Sequence, residues 1–332
     1  MRPSPAIVIS NISFAYSARQ ALANLSLDVA SGEIFALLGP NGSGKSTLFR
    51  LLATLIPLQQ GEIDILSISV RTHAVEVRKR LGVVFQSPSV DAKLRVWENI
   101  RHQGWLYGLS GRELTTRGQE LLAQLGLADR AHDSVETLSG GLRRRLELAK
   151  GMLHCPSILL MDEPSTGLDP AARYDFWTYL RQLRDEHGVT VLLTTHLLEE
   201  ADHADRVAIL SEGQIVACGA PEELRKEVGQ ESIVVHPIPD HAKQLAAGIA
   251  QRLNVQTRTI EDEIHVTADD ATATIASLLE QFGPMVSELR LGKPTLEDVF
   301  VARTGHRFWN RPADGDSLDA KGRANRKGVR NG

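Results

Sequence analysis

Four stretches of this 332-residue chain carry residue types at spacings suited to polyphosphate chemistry. The first, Gly39-Pro40-Asn41-Gly42-Ser43-Gly44-Lys45-Ser46-Thr47, fits G-x-x-x-x-G-K-[ST]. Its glycines let successive backbone N–H groups turn inward toward phosphate oxygens, and a helix that follows would aim its positive end at the same anion. Lys45 is expected to meet the β- and γ-phosphates, and the Ser46 hydroxyl to ligate Mg2+. A chance glycine-rich turn could match the letters, but here an apolar strand pattern, IFALL, precedes the loop and a helical one, STLFRLLATLI, follows it. Taken alone, the loop specifies a nucleoside triphosphate and no particular machine.

The second stretch is an unbroken apolar run, Ser157 to Met161, that ends in two carboxylates, Asp162 and Glu163. Charges at the end of a buried strand are costly unless they are solvated or paired with a cation. A solvated strand end explains one carboxylate more readily than a pair. Beside a phosphate loop, Asp162 suits a Mg2+ shell and Glu163 suits the general base that activates a water. The third stretch, Val189 to Thr195, ends in His196. A lone histidine there reads as a strand cap, whereas beside the other two stretches it reads as a γ-phosphate contact. The fourth is Leu138-Ser139-Gly140-Gly141-Leu142, where a serine and two glycines open a helical pattern and make a second anion-binding N-terminus. The chain thus carries two phosphate-binding features and one lysine-bearing loop.

The elements that must position these residues follow from periodicity. Short strand patterns with turns between them run to Gly39, followed by strand, loop and helix in the order of an α/β fold. Residues from about 87 to 156 are expected to be mostly helical. SILLMDEP and VTVLLTTH resume as buried parallel strands, and RVAILSEGQIVACG reads as a hairpin turning at Glu212-Gly213. Residues 231–302 read as strand, helix, two strands, helix and strand, a small α+β unit. The expected organisation is a nucleotide-binding domain over 1–228 and a C-terminal domain over 229–305. The polar segment 306–332 is expected to be disordered.

Composition narrows the class. With 42% hydrophobic residues there is material for a sizeable core, and a net charge of −4 argues against a nucleic-acid partner. Cys155 and Cys218 form no disulfide framework or metal-ligand spacing and are expected to be small buried fillers. Histidines other than His196 are expected at the surface. The N-terminus lacks the apolar core of a secretory signal, and no apolar run approaches the roughly 20 residues that span a bilayer. The expected location is therefore the cytoplasmic side, with any membrane role exercised through a partner.

In this order, the motifs resemble those of the ABC transporter ATPase family over about residues 6–228, with Leu138–Leu142 standing where that family has LSGGQ. The resemblance implies a P-loop NTPase core with an antiparallel β subdomain and a helical subdomain. It implies ATP held by the phosphate loop of one subunit and covered by the signature of a second, most simply in a homodimer that drives separate transmembrane permease subunits. It places Tyr16 against adenine. Gln86 would face Mg2+ and the attacking water, with Asp162 on the metal, Glu163 as the catalytic glutamate, His196 as the switch histidine, and Asp169 in Ser165–Asp169 at the dimer interface. Leu142 departs from the signature glutamine, while Ser139, Gly140 and Gly141 are intact. The ending Lys293–Gly305, with PTLEDVF, is similar to that of daunorubicin-type drug-resistance exporter ATPases. This favours export over an importer ATPase, and one lysine-bearing loop with no sustained heptads argues against a soluble ATPase acting on ribosomes or DNA. The cargo is not legible.

Overall fold

A computed structural model describes residues 4–17, 19–228, 231–239, 241–253, 255–260, 263–268 and 270–308. Along the chain come β1 (Pro5–Tyr16), β2 (Arg19–Ala30), β3 (Ile34–Leu38), α1 (Lys45–Leu52), β4 (Gln60–Ile65), β5 (Ile68–Ser69), α2 (Ala74–Arg80) and β6 (Leu81–Val84). The helical stretch holds α3 (Val96–Leu106), α4 (Gly111–Gln124) and α5 (Gly140–Met152). Then follow β7 (Ile158–Asp162), α6 (Pro170–His187), β8 (Thr190–Thr195), α7 (Leu198–Ala201), β9 (Arg206–Ser211), β10 (Gln214–Gly219) and α8 (Pro221–Val228). The last stretch comprises β11 (Glu231–Pro237), α9 (Ala242–Leu253), β12 (Gln256–Ile260), β13 (Glu263–Ala268), α10 (Ala271–Phe282), β14 (Val286–Gly292) and α11 (Leu296–Thr304).

These strands form three sheets. An antiparallel one has the order β2-β1-β4-β5, and a six-stranded one runs β10-β9-β3-β8-β7-β6. Within the second, β9, β3, β8, β7 and β6 are parallel and β10 returns antiparallel. Strand β3 is apolar at every position, and β7 and β8 are apolar over Ile158–Met161 and Val191–Leu193, because both faces of the sheet are covered. Ile34, Ala36 and Leu38 of β3 join a core with the helical side, while Phe35 and Leu37 point to a second core shared with α1 and the antiparallel sheet. The same alternation recurs in β7, with Leu159 and Met161 on the helical side and Ile158 and Leu160 opposite. This two-sided burial gives the sheet a fixed register, so the loops at its carboxyl end are held side by side.

The third sheet, β12-β13-β11-β14, is antiparallel and packs Ile233, Val235, Ile264 and Val266 against α9 and α10. Helix α11 packs elsewhere. Its Leu296, Val299 and Phe300 are buried in the core on the helical side of the six-stranded sheet, and it lies against α8 and β10. A capping box at Thr295 and Asp298 starts this helix, and Gly305 (φ 82°) ends it.

Three expectations need correction. Both cysteines are exposed, Cys155 in the turn after α5 and Cys218 on the outer strand β10. Several histidines are built into the fold. The His154 ring stacks on Tyr107 at 3.8 Å and bonds the Leu81 carbonyl, while His236 and His265 flank Glu263 at 3.6 and 3.4 Å. The ordered chain also runs past residue 306, since Phe308 is 1% exposed and meets Phe300 edge-on at 5.0 Å. The expectation for 309–332 falls outside the described residues.

The burial of Phe308 has a measurable consequence. Losing a buried Phe side chain costs about 3 kcal/mol. A chain ending at Gly305 is therefore expected to melt several degrees below one ending at Phe308, as read by calorimetry. Equal melting temperatures would mean that Phe308 contributes nothing to the core.

Candidate active site

The strand order brings the motifs together. Neighbouring strands β3, β8, β7 and β6 end beside one another, with Leu38 opposite Thr195, Asp162 opposite Thr194, and Val84 opposite Met161. Ligands of such sheets sit just beyond these carboxyl ends. The phosphate loop leaves β3, the carboxylates end β7, His196 follows β8, and Gln86 follows β6.

In the loop, Gly44 has φ 111°, a conformation L side chains rarely adopt, and a Cβ there would lie 2.6 Å from the Ala21 carbonyl. Lys45 opens α1 and is 4% exposed. Its ammonium donates to the carbonyls of Gly39 at 2.7 Å and Pro40 at 3.1 Å, and lies 4.0 Å from Glu163 Oε1. Burial pulls the Lys45 pKa below the ordinary lysine range, with Glu163 and Asp162 opposing the shift. Among the described residues the buried Ser43 hydroxyl has no hydrogen-bond partner, as suits a cradle for an anion.

Glu163 is the point on which the other groups converge. Its Oε2 accepts from Gln86 Nε2 at 3.0 Å, and its Oε1 lies 3.2 Å from His196 Nδ1. Its backbone sits at φ 44°, in the left-handed region that a glutamate occupies only when held there. The restraint is visible, because the Glu163 N–H donates to the Thr194 hydroxyl at 3.0 Å and to the Thr194 carbonyl at 3.2 Å. That hydroxyl in turn donates to Asp162 Oδ1 at 2.5 Å. Burial pushes the Asp162 carboxyl above the usual carboxylate range, and the Thr194 bond opposes it. A cation beside such a group would favour its charged form.

Some expected site residues stand apart from this cluster. Tyr16 ends β1 in the antiparallel sheet, 42% exposed, with its ring edge-on to Phe14. Ser139 caps α5, its hydroxyl accepting from the Leu142 N–H at 3.3 Å, and Gly140 beside it is exposed. Among the described residues, no hydrogen bond or ion pair joins Ser139–Gly141 to the phosphate loop. Leu142, the departure from the signature glutamine, packs against the apolar core. Asp169 caps α6 by accepting the Ala172 N–H at 2.9 Å.

The sequence reading did not single out Arg144 and Glu147, a buried ion pair on α5 at 2.5 Å. Charges three residues apart on a helix read as a solvated face. The available signal was that Leu146 and Leu148, on either side of Glu147, are core residues.

Known proteins show which family the chain resembles. The ABC transporter family model matches residues 22–166, and that of the C-terminal domain of DrrA1-3-like ATP-binding proteins matches 219–304. Daunorubicin resistance ATP-binding protein DrrA2 of Streptomyces coeruleorubidus is 38% identical over 307 residues, spanning 90% of this chain and 94% of that protein. Nod factor export ATP-binding protein I of Rhizobium meliloti is 36% identical, over 92% of this chain and 89% of that one. Among solved structures, a dimeric bacterial ABC transporter cassette superposes with a TM-score of 0.59 at 29% identity, over 64% of this chain and 98% of that one. The cbiO1 subunit of Clostridium perfringens, at 24% identity and a TM-score of 0.63 over 75% of this chain and 96% of that one, shares the fold. This chain therefore belongs to the ABC transporter family as an ATP-binding and ATP-hydrolysing subunit, of the branch bearing the DrrA-like C-terminal domain.

Proposed function

We propose that the chain is the motor of an exporter, working as a homodimer that sandwiches two ATP molecules at the cytoplasmic face of a membrane and moves separate permease subunits. The observation that carries this reading is that Lys45, Gln86 and His196 meet at Glu163, while Ser139–Gly141 open a separate helix that, among the described residues, makes no hydrogen bond or ion pair to them. Each subunit then supplies one half of two sites. ATP contacts both halves only in the closed pair, so its binding shifts the population toward closure. The names of the drug-resistance and Nod factor export relatives support export. No helix among the described residues is long and apolar enough to cross a membrane, in keeping with separate permease subunits. Trp105 and Leu106, exposed at the end of α3 in the helical stretch after Gln86, support contact with such a partner there.

Within one site, Lys45 and the loop N–H groups hold the β- and γ-phosphates. Glu163 takes the proton of the attacking water on a carboxylate oxygen, while Gln86 and His196 orient water and γ-phosphate. Ser46, Asp162 and the amide oxygen of Gln86 would hold Mg2+, the other oxygens of its shell coming from phosphates and water. Among the described residues no cluster of three or more His, Cys, Asp or Glu could hold a metal, and Mg2+ is ordinarily bound by one or two carboxylates together with substrate phosphates. When bound, it neutralises charge that develops on the phosphates. Tyr16 supplies a face for adenine.

Isolation of the tagged chain from native membranes tests this reading. A polytopic membrane protein is expected to co-purify, and inside-out vesicles bearing the pair should accumulate cargo only with ATP. Recovery with ribosomes in place of a membrane protein would overturn the transport reading.

A further inference from the structure

The helix that opens at Gly140 carries two ions in the core. Arg144 and Glu147 are 8% and 4% exposed, and each is bonded to backbone far away in sequence. Arg144 donates from Nε to the Pro164 carbonyl at 2.5 Å, and from Nη1 to the Phe85 carbonyl at 2.7 Å and to Glu147 Oε2 at 2.5 Å. Its Nη2 lies 3.5 Å from the Asp162 carbonyl. Glu147 Oε1 accepts the Ser89 N–H at 2.7 Å, and Lys150 donates to the Ser89 carbonyl at 2.6 Å. Burying an ion pair is expensive and seldom adds stability over an apolar pair of the same size, so stability alone does not account for it.

The partners are informative. Phe85 immediately precedes Gln86, and Asp162 and Pro164 flank Glu163. The pair thus grips the two segments that present Gln86 and Glu163 to the nucleotide of their own subunit. It does so from about one to two turns below Gly140 on the same helix, and in the sandwich Gly140 faces the nucleotide of the other subunit. Arg144 reaches these acceptors from separate nitrogens of one rigid plane, whereas a lysine would offer its three donors from a single point.

We propose that Arg144 and Glu147 are positioning residues which tie the seating of the signature helix on one ATP to the placement of Gln86 and Glu163 over the other, so that the two sites of the dimer are coupled. The inference rests on the sandwich reading. Two variants of the full chain test it. Arg144→Lys keeps the charge beside Glu147 and gives up the fork, and Arg144→Met/Glu147→Met removes both ions while keeping volume. In each, ATP affinity of the isolated subunit is expected to stay within about twofold, while kcat falls at least about tenfold, since small misplacements of reacting groups are this costly. The Hill coefficient for ATP is expected to fall toward about 1. In a Glu163→Gln background both variants should still form the ATP-held dimer. Unchanged kcat and Hill coefficient in either folded variant overturn the proposal. So does loss of kcat only in step with melting temperature and ATP affinity, or failure of both variants to fold, each of which assigns the pair a structural role. If Glu163→Gln alone forms no dimer with ATP, the sandwich reading itself has failed, a result distinct from these.

Discussion

Replacing Glu163 with glutamine is expected to leave ATP binding intact and to lower kcat by about 10²- to 10⁴-fold, the usual contribution of a general base. Glutamine has the same shape, and its amide oxygen can still accept from Gln86, whose Nε2 lies 3.0 Å from Glu163 Oε2. The anchor at Thr194 uses the backbone of residue 163, so the φ of 44° is preserved too. What disappears is the proton acceptor. A loss in kcat without a matching change in ATP affinity separates this role from simple binding. Because reopening of the sandwich is expected to require hydrolysis, the variant should also collect as an ATP-dependent dimer on size exclusion, while the parent chain stays mainly monomeric. Turnover within about threefold of the parent would remove Glu163 from the role of base and leave it a ligand of Lys45 and His196.

The parts of this site that could be read from sequence are those whose chemistry is written locally. A glycine-rich loop before Lys45, two carboxylates at the end of an apolar run, and His196 at the end of another each announce a polar group at the tip of a buried strand. Their meeting at Glu163 depends on the strand order β3-β8-β7-β6, which no local pattern encodes. Gln86 has no such local mark. It follows a four-residue strand, and only the resemblance pointed to it, with its bond to Glu163 seen in the structure. Arg144 and Glu147 were illegible for a different reason. Their i, i+3 spacing is that of a surface pair, and their burial follows from where β6 and β7 happen to end. Phe308 sits in a polar sequence context, and its place in the core is set by α11 crossing back to the six-stranded sheet. Helix α6 was findable, since Asp169, Pro170 and Gly188 mark its ends, yet it emerges here only from the structure.

Three glycines of the site differ in what they require, and one of them makes the sharpest test. Gly44 is needed for its backbone angle, and Gly141 for space, since a Cβ there would lie 3.0 Å from the Ala172 side chain. Gly140 has neither reason. Its φ lies outside the left-handed region, and a Cβ would meet nothing within 4 Å among the described residues of its own subunit. Whatever excludes a side chain at Gly140 must come from outside the subunit, and in the sandwich that is the partner's ATP. Gly140→Val should accordingly fold with a melting temperature within about 2 °C of the parent, as exposed substitutions do, and bind ATP normally. Its turnover should fall about 10²-fold or more, because the γ-phosphate would lose preorganised donors that act in the transition state. Lys45→Ala should be inactive for the opposite reason, having lost its grip on its own nucleotide. Mixing the two inactive chains then decides the geometry. In a mixed dimer, one site combines the intact loop of the Gly140→Val subunit with the intact signature of the Lys45→Ala subunit, while the other site carries both defects. With equal mixing and free exchange, half the dimers are mixed and half their sites are whole, so activity should return to at most about one quarter of the parent value. If each signature served the loop of its own chain, no mixture could restore anything.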